Sequence, residues 1–405
     1  MFDDIERKTI ENMGLNCLYI DEYNQNKKYE ELDYMDQDDS FFTENIKKTI
    51  LLDHELFMKF GISLCGLPIL SISPNYWNNI YIEVINRYKV KSLLFSSFLT
   101  VTLKEPTIEK KQLSSLDFLK QTPSLKQFYI QSQKGIFDSE YWDIKDFTPL
   151  EYLLELESLI ITNYETYVDI NFSLLQSLKD VNLQYPKKNK TIYACKNIES
   201  IDTRYYERTL AEMKNWKQLK YLCTYCDNLE SFKGLDSFEK LETFRPEITS
   251  KFKTFEDTKS KSIKKLHIYT EARTSPKTLK GLSGLEIIEN IALNGLRQLE
   301  SIDNLYQCDS LKELTFENCS IPNDILMLST LQNLEKLVFD DCKNIASLDF
   351  VTKLSKLKYL SFDGNTKIED GNLNFLKELF NNGVEIYFND KKHYSLKHKD
   401  VYSIA

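Results

Sequence analysis

Apolar residues recur at the first, fourth and sixth positions of a nine-residue segment that repeats along this chain. The clearest copies are IENIALNGL, LKELTFENC, LEKLVFDDC and LKYLSFDGN, which begin at Ile288, Leu311, Leu334 and Leu357. They begin at intervals of 23, 23 and 23 residues. A fixed period of this length indicates stacked structural repeats rather than one globular core.

Weaker copies of the segment extend towards the N-terminus. They begin at intervals of 20 to 25 residues, at Leu156, Leu178, Ile198, Leu219, Leu241 and Ile263. Three earlier copies begin at Leu67, Val90 and Leu125, and the successive intervals from Leu67 to Leu156 are 23, 35 and 31 residues. The two long intervals predict insertions near residues 100–122 and 134–154, within an array of about thirteen repeats.

Each segment is predicted to form a short strand whose fourth and sixth residues point into the core. Stacking buries these residues and produces a parallel sheet on the concave side of a curved solenoid. The return segments CSIPNDILMLSTLQN and CKNIASLDFVTKLSK have little helical length. They predict short 3₁₀ or irregular turns on the convex side. The predicted fold class is therefore α/β, a solenoid with a parallel sheet on one side and short returns on the other.

The pattern LxxLxLxxN/C resembles the strand portion of a leucine-rich repeat. The period brings the chain closest to the bacterial, internalin-like class of 22 to 23 residues. This resemblance implies a protein-binding solenoid without chemistry of its own.

The two ends of the array carry different patterns. Residues 1–60 are predicted to be an acidic N-terminal segment and cap, in which 41–60 reads as an amphipathic helix. Residues 61–370 form the array. Residues 371–405 are predicted to be a C-terminal cap and tail, with helical spacing in DGNLNFLKELF followed by the strand VEIYF. Both ends are expected to cover terminal repeats that would otherwise expose apolar side chains.

Charge is concentrated at the N-terminus. The chain has a net charge of −9, of which residues 1–60 contribute −8 from 15 acidic and 7 basic side chains. The near-neutral remainder argues against nucleic acid as a partner. The acidic stretch at 21–44 could attract a basic partner, but a solvated, partly flexible segment is the favoured interpretation.

Several features of the sequence predict a bacterial cytoplasmic protein. No stretch approaches the roughly 18 apolar residues of a membrane span. The start, MFDDIERKTIENMG, lacks the basic and apolar regions of a secretory signal. Lys, Asn and Ile usage is typical of a bacterial protein. In a reducing compartment, the eight cysteines read as small hydrophobic residues.

No motif in the chain supports catalysis, a metal or a cofactor. Cys223 and Cys226 form a CxxC without the second pair that a zinc ribbon needs. His393 and His398 lie in the tail segment HYSLKH, outside any known ligand or catalytic motif. With 11 glycines and no GxGxxG or GxxxxGK, a phosphate-binding loop is not expected. The sequence predicts a protein that is not an enzyme.

Strand alternation predicts the residues that face a partner. If the fourth and sixth positions point inward, the fifth and seventh point outward on the concave side. Tyr and Arg are enriched there and at the neighbouring eighth position in the middle of the array, and both are frequent interface hot spots. The predicted central patch comprises Tyr185, Asp202, Arg204, Tyr205, Tyr225, Arg245, Glu247, His267 and Tyr269. The alternative is that a chain with 24 tyrosines places some on every surface.

The seventh positions of the last repeats are acidic. They are Glu317, Asp340 and Asp363, and they predict a partner with a basic surface. In the earliest repeats the fifth positions are Leu94, Tyr129 and Ile160, an apolar stripe that the insertions are expected to cover.

These observations predict a non-catalytic module that binds a protein partner on the concave face. A toxin-neutralising immunity protein and an intracellular scaffold both fit this description. The alternative is a secreted bacterial effector whose repeats recognise a host protein. No membrane contact is predicted, and the sequence carries no signal for an oligomeric state.

Overall fold

A computed structural model describes residues 17–18, 69–72, 77, 79–87, 90–96, 113–131, 144–162, 167–183 and 190–402. The predicted helix at 41–60 and Tyr185 lie outside these residues. The chain divides into two compact units, Met1–Arg204 with Gln218–Tyr221, and Tyr205–Lys217 with Leu222–Ala405. The division falls inside the predicted array, and each unit is described by itself.

The first unit contains one strand for each of its predicted repeats. A two-residue strand, β1 (Cys17–Leu18), pairs antiparallel with β2, and the later strands pair in parallel in chain order. Their bounds are β2 (Ile69–Ile72), β3 (Ser92–Ser96), β4 (Gln127–Gln131), β5 (Ser158–Thr162), β6 (Asp180–Leu183) and β7 (Ser200–Tyr205).

The second unit continues the same plan. Its strands are β8 (Tyr221–Cys226), β9 (Thr243–Ile248), β10 (Lys265–Tyr269), β11 (Asn290–Asn294), β12 (Glu313–Glu317), β13 (Lys336–Asp340), β15 (Tyr359–Asp363) and β17 (Glu385–Phe388). From β9 onwards, neighbouring strands of this sheet are parallel. A separate two-stranded pair joins β14 (Asn344–Ile345) to β16 (Lys367–Ile368). All thirteen predicted repeats therefore contribute a strand.

Burial alternates along the later strands as the sequence predicts. In β12, Leu314 and Phe316 are fully buried, whereas the residues between and beside them are half-exposed. The same alternation recurs in β11 and β13. Equivalent rings stack between repeats, with the centroids of Phe316 and Phe339 5.6 Å apart. The core is thus a continuous column of repeated apolar positions, which no single repeat could bury.

The return segments are short, as predicted. The described returns contain 3₁₀ turns such as Asn323–Thr330 and Asp349–Lys353. An α-helix, α1 (Ile80–Arg87), takes this place between β2 and β3. Residues 117–121 and 148–152 are also 3₁₀ turns with buried apolar residues. The later parts of the two predicted insertion ranges are therefore ordinary returns.

Opposite charges alternate at the second position of successive segments. Lysine and glutamate alternate there from Lys126 to Lys358, in the order Lys126, Glu157, Lys179, Glu199, Lys220, Glu242, Lys264, Glu289, Lys312, Glu335 and Lys358. The Glu157 carboxylate contacts the Lys126 and Lys179 ammonium groups, each at 2.7 Å. We call this line of alternating charges the charge ladder.

Beyond the array, the chain forms α2 (Leu376–Asn381), then β17, and then α3 (His398–Tyr402). Gly383 makes the turn from α2 into β17 with φ +85. The predicted helix and strand are both present, and the helix is shorter than the spacing of DGNLNFLKELF suggests. Among the described residues, no helix is long and apolar enough to cross a membrane.

Candidate protein-binding face

The candidate site is the side of the second unit's sheet that carries the half-exposed residues, which we call the open face. Side chains at the third, fifth and seventh positions of each repeat project from it, because alternate residues of a strand share a side. The strands are in register: His267 pairs with Ala292, Ala292 with Thr315, and Thr315 with Val338. Equivalent positions therefore form straight rows across the strands.

The end of the open face at β9 and β10 carries positive charge and aromatic rings. Arg245 and His267 are half-buried, and Tyr269 is 37% exposed. Burial and the nearby Arg245 guanidinium lower the pKa of His267 to about 4, so its imidazole is neutral at physiological pH. Tyr269 donates a 2.6 Å hydrogen bond to the Glu271 carboxylate, which helps to raise the pKa of Tyr269 to about 12.

The seventh-position row is acidic over three successive strands. Glu317 pairs with Asp340, and Asp340 pairs with Asp363. Partial burial and the neighbouring Asp341 and Asp363 carboxylates raise the pKa of Asp340. The carboxylates repel one another, so a cation bound beside them would be stabilised.

The other end of the open face carries an exposed aromatic pair. The rings of Tyr359 and Tyr387 stack with centroids 5.4 Å apart, and Tyr387 is 46% exposed. The Lys336 ammonium lies 5.5 Å from the centroid of the Tyr359 ring. The rings therefore already accommodate one cation and leave apolar area accessible to a partner.

The remaining predicted residues that are described are at least partly exposed on their strands, with one exception. Tyr225 is 38% exposed, Glu247 is half-buried, and Asp202 and Arg204 are half-buried on β7 in the first unit. The exception is Tyr205, which is buried, with its hydroxyl donating to the Thr209 carbonyl. Strand β7 continues to the eighth position, so alternation turns Tyr205 into the core. The prediction that Tyr205 contacts a partner is wrong.

The early repeats offer a different surface in the first unit. Leu94, Tyr129 and Ile160 are buried, in agreement with an apolar stripe that is covered. The segments expected to cover it, within 97–112 and 132–143, lie outside the described residues. On β6, burial raises the pKa of Asp180 to about 7, with a contribution from the Glu199 carboxylate.

The sequence prediction missed the third-position row. Lys265, Asn290, Glu313, Lys336 and Tyr359 occupy it, and Asn290 donates a 2.7 Å hydrogen bond from its amide to Glu313. The same period-2 argument that selected the fifth and seventh positions also selects the third, so the sequence contains the signal. Tyr387 was missed because its strand follows the last regular repeat.

The described part of the chain contains no group of three His, Cys, Asp or Glu side chains suited to a metal ion. Cys223 is half-exposed, whereas Cys226 is buried and has a raised pKa because burial disfavours the thiolate. A metal ion shared by the two residues would need both thiols as accessible thiolates, and the Cys226 thiol is buried and hard to deprotonate.

Comparison with known proteins supports the repeat assignment. Residues 272–389 match the family described as BspA type Leucine rich repeat region, in six copies. No curated protein matches the chain.

Solved structures with similar folds include other repeat proteins. An internalin of Listeria monocytogenes is 14% identical, with 71% of this chain and 80% of that chain covered, at a TM-score of 0.46. A leucine-rich-repeat protein of Leptospira interrogans is 14% identical, with 78% and 88% covered, at a TM-score of 0.44. The functional domain of internalin InlJ of Listeria monocytogenes is 14% identical, with 73% and 66% covered, at 0.43. The repeat family match over residues 272–389 and the strand-per-repeat architecture identify this part of the chain as a leucine-rich-repeat array.

Proposed function

We propose that this protein binds a protein partner with a basic surface on the open face of its second unit. The observation that carries the proposal is the uninterrupted row of Glu317, Asp340 and Asp363 beside exposed Tyr269 and Tyr387. Carboxylates in a row favour a positively charged surface, and tyrosines supply contact area with polar tips. Leucine-rich repeats are protein-interaction modules, which supports the same function.

The proposal covers the three roles that the sequence suggests. Toxin neutralisation, scaffolding and host-protein recognition all need a face that captures a partner without changing it chemically. They differ in the identity of that partner, so its capture is the experiment that separates them.

The test is a quantitative pull-down from a lysate of the source cells with three proteins. They are the wild type, an open-face variant with Tyr269→Ala and Asp340→Lys, and a control with Tyr306→Ala and Asp349→Lys. The control makes the same chemical changes on return segments, where Tyr306 is half-buried and Asp349 is exposed. Circular dichroism would establish that all three are folded.

We expect one basic protein to be recovered by the wild type and the control, and at least about tenfold less by the open-face variant, because buried hot spots and charge pairs dominate binding. The dissociation constant of that purified protein for each variant would then be measured. Equal recovery of every co-purifying protein by the wild type and the open-face variant would contradict the proposal.

A further inference from the structure

The open face contains a trough whose floor and walls have different chemistry. The floor consists of fifth-position residues with short side chains, namely Ala292, Thr315, Val338 and Ser361. Longer side chains flank it on both sides: Glu317 and Asp340 at the seventh position, and Lys336 and Tyr359 at the third. Third and seventh positions lie four residues apart, so the walls are about 13 Å apart along a strand.

This width fits an α-helix, whose diameter with side chains is about 10–12 Å. A helix lying in the trough runs across the strands and contacts one strand after another. Floor residues from Ala292 to Ser361 lie on four successive strands. The floor is therefore about 14 Å long, or between two and three helical turns.

The spacing of the acidic wall also matches a helix. Glu317, Asp340 and Asp363 lie on three adjacent strands and span about 9.6 Å between the outer two. Two helical turns advance about 10.8 Å, so cations at i, i+4 and i+7 would each meet one carboxylate. In an extended chain, residues i, i+2 and i+4 on one side would span about 13 Å. That span exceeds the distance between the outer carboxylates, so the three side chains would not all meet a carboxylate.

The ends of the trough differ in charge and set a direction. On the open face, Arg245, Lys265 and Glu247 give the β9 and β10 end a net charge of +1, whereas Asp363 and Glu385 give the β15 and β17 end a net charge of −2. A helix carries partial positive charge at its N-terminus and partial negative charge at its C-terminus. The favoured orientation places the helix N-terminus beside β17 and its C-terminus beside β9.

We infer that the partner presents an amphipathic α-helix with a stripe of Lys or Arg residues, which docks in this trough with its N-terminus towards Tyr387. This inference rests on the proposed function and specifies the part of the partner that is recognised. The charged row selects the basic stripe, the trough accommodates the helix, and the Tyr359 and Tyr387 rings contact its first turn.

The test uses a fluorescent helical peptide of about 18 residues with lysines at i, i+4, i+7 and i+11. One control peptide has the same composition with the lysines spread around the helix. A second has the same sequence with D-residues that prevent helix formation. Binding to the full chain would be followed by fluorescence anisotropy at about 150 mM salt, where exposed charges are largely screened beyond roughly 8 Å.

We expect the striped helix to bind about tenfold more tightly than either control peptide. Asp340→Asn with Asp363→Asn would weaken it about tenfold, whereas Asp309→Asn with Asp349→Asn, the same charge change on return segments, would leave its affinity unchanged. A photoreactive group at the peptide N-terminus would cross-link near Tyr387, and one at the C-terminus would cross-link near Arg245.

Equal binding of the striped and control peptides would overturn the helix inference, as would equal affinity for the wild type and the Asp340→Asn, Asp363→Asn variant. Cross-links in the reverse order would overturn the orientation. If the open-face variant loses the partner in the pull-down while the three peptides bind equally, the proposed function stands and the helix inference is wrong. If the pull-down does not depend on the open face, the proposed function itself fails.

Discussion

Single residues in unusual backbone conformations end the strands of the later repeats. Gly295, Asn318, Asp341 and Gly364 follow β11, β12, β13 and β15, with φ values of 85, 50, 46 and 61. Glycine, asparagine and aspartate are the residues that tolerate this left-handed region best. The backbone N–H groups of Gly295 and Asn318 each donate 2.9 Å bonds to a carbonyl of the next repeat. These turns therefore join neighbouring repeats as well as ending strands.

Gly295→Ala is expected to destabilise the protein far more than Gly383→Ala. Both glycines have φ +85, but a Cβ at position 295 would lie 1.9 Å from the Thr270 carbonyl oxygen, whereas nothing lies within 4 Å at position 383. The left-handed conformation alone costs about 1–2 kcal/mol, which both variants share. The clash should add at least about 2 kcal/mol at position 295.

The measurement is the thermal unfolding midpoint of both variants beside the wild type. Similar midpoints for the two variants would show that the backbone around Thr270 moves aside without cost.

The charge ladder acts at the scale of neighbouring elements. Its ion pairs place an ammonium group beside the carboxylate of an adjacent repeat, as in Lys220 with Glu199 at 2.6 Å and Lys358 with Glu335 at 2.7 Å. Exposed pairs of this kind contribute little one by one. Their alternation gives a different benefit, because a shift of one repeat would bring like charges together and is disfavoured.

Glu157→Lys is expected to lower the free energy of unfolding by about 1–2 kcal/mol, because it replaces two attractive contacts with two repulsive ones. The matched control is Glu155→Lys, the same charge change at an exposed neighbour. Urea denaturation at low and high salt would measure both. An effect of Glu157→Lys that is equal to that of the control, or independent of salt, would contradict the ladder's role.

A fall in pH should remove the stabilisation that the Glu157 ion pairs with Lys126 and Lys179 contribute. Hydrogen bonds from the Lys126 and Lys179 ammonium groups lower the pKa of Glu157 from its ordinary value of 4.5. A lowered pKa stabilises the fold above that ordinary value, and the stabilisation is lost as the pH falls through the folded value. The difference between wild type and Glu157→Lys should therefore shrink at acidic pH.

The whole molecule follows the nearest-neighbour logic of a repeat array. In the second unit, backbone pairing connects successive strands from β9 onwards, and ladder ion pairs join β9 to β10, β11 to β12 and β13 to β15. Stability is then a sum over repeats and their interfaces, so whole repeats can be removed without destroying the fold.

Deletion of residues 311–356 is expected to leave a folded protein that no longer binds the basic helical peptide. The cut removes two 23-residue repeats and joins equivalent positions, so that Glu289 meets Lys358 and the charge alternation survives. Glu317 and Asp340 are lost with the deleted repeats. Far-ultraviolet circular dichroism, thermal unfolding and peptide anisotropy would measure the outcome. A deletion variant that is unfolded would contradict the nearest-neighbour account, and one that still binds the peptide would contradict the location of the trough.

The sequence by itself determined the repeat, the thirteen strands, their inward and outward sides, and the 3₁₀ returns. It could do so because apolar residues at fixed spacing have one way to be buried together. It also indicated the acidic row, since alternation assigns Glu317, Asp340 and Asp363 to one side.

Only the tertiary structure decided which outward positions are accessible. Tyr205 and Tyr225 belong to the same predicted patch, but Tyr205 is buried at the eighth position and Tyr225 is exposed at the seventh, because the strands continue in alternation to the eighth position. The trough depends on the register between strands, which sets short side chains such as Ala292 and Thr315 side by side. Register is a property of paired strands and their hydrogen bonds, and a single strand's sequence does not contain it.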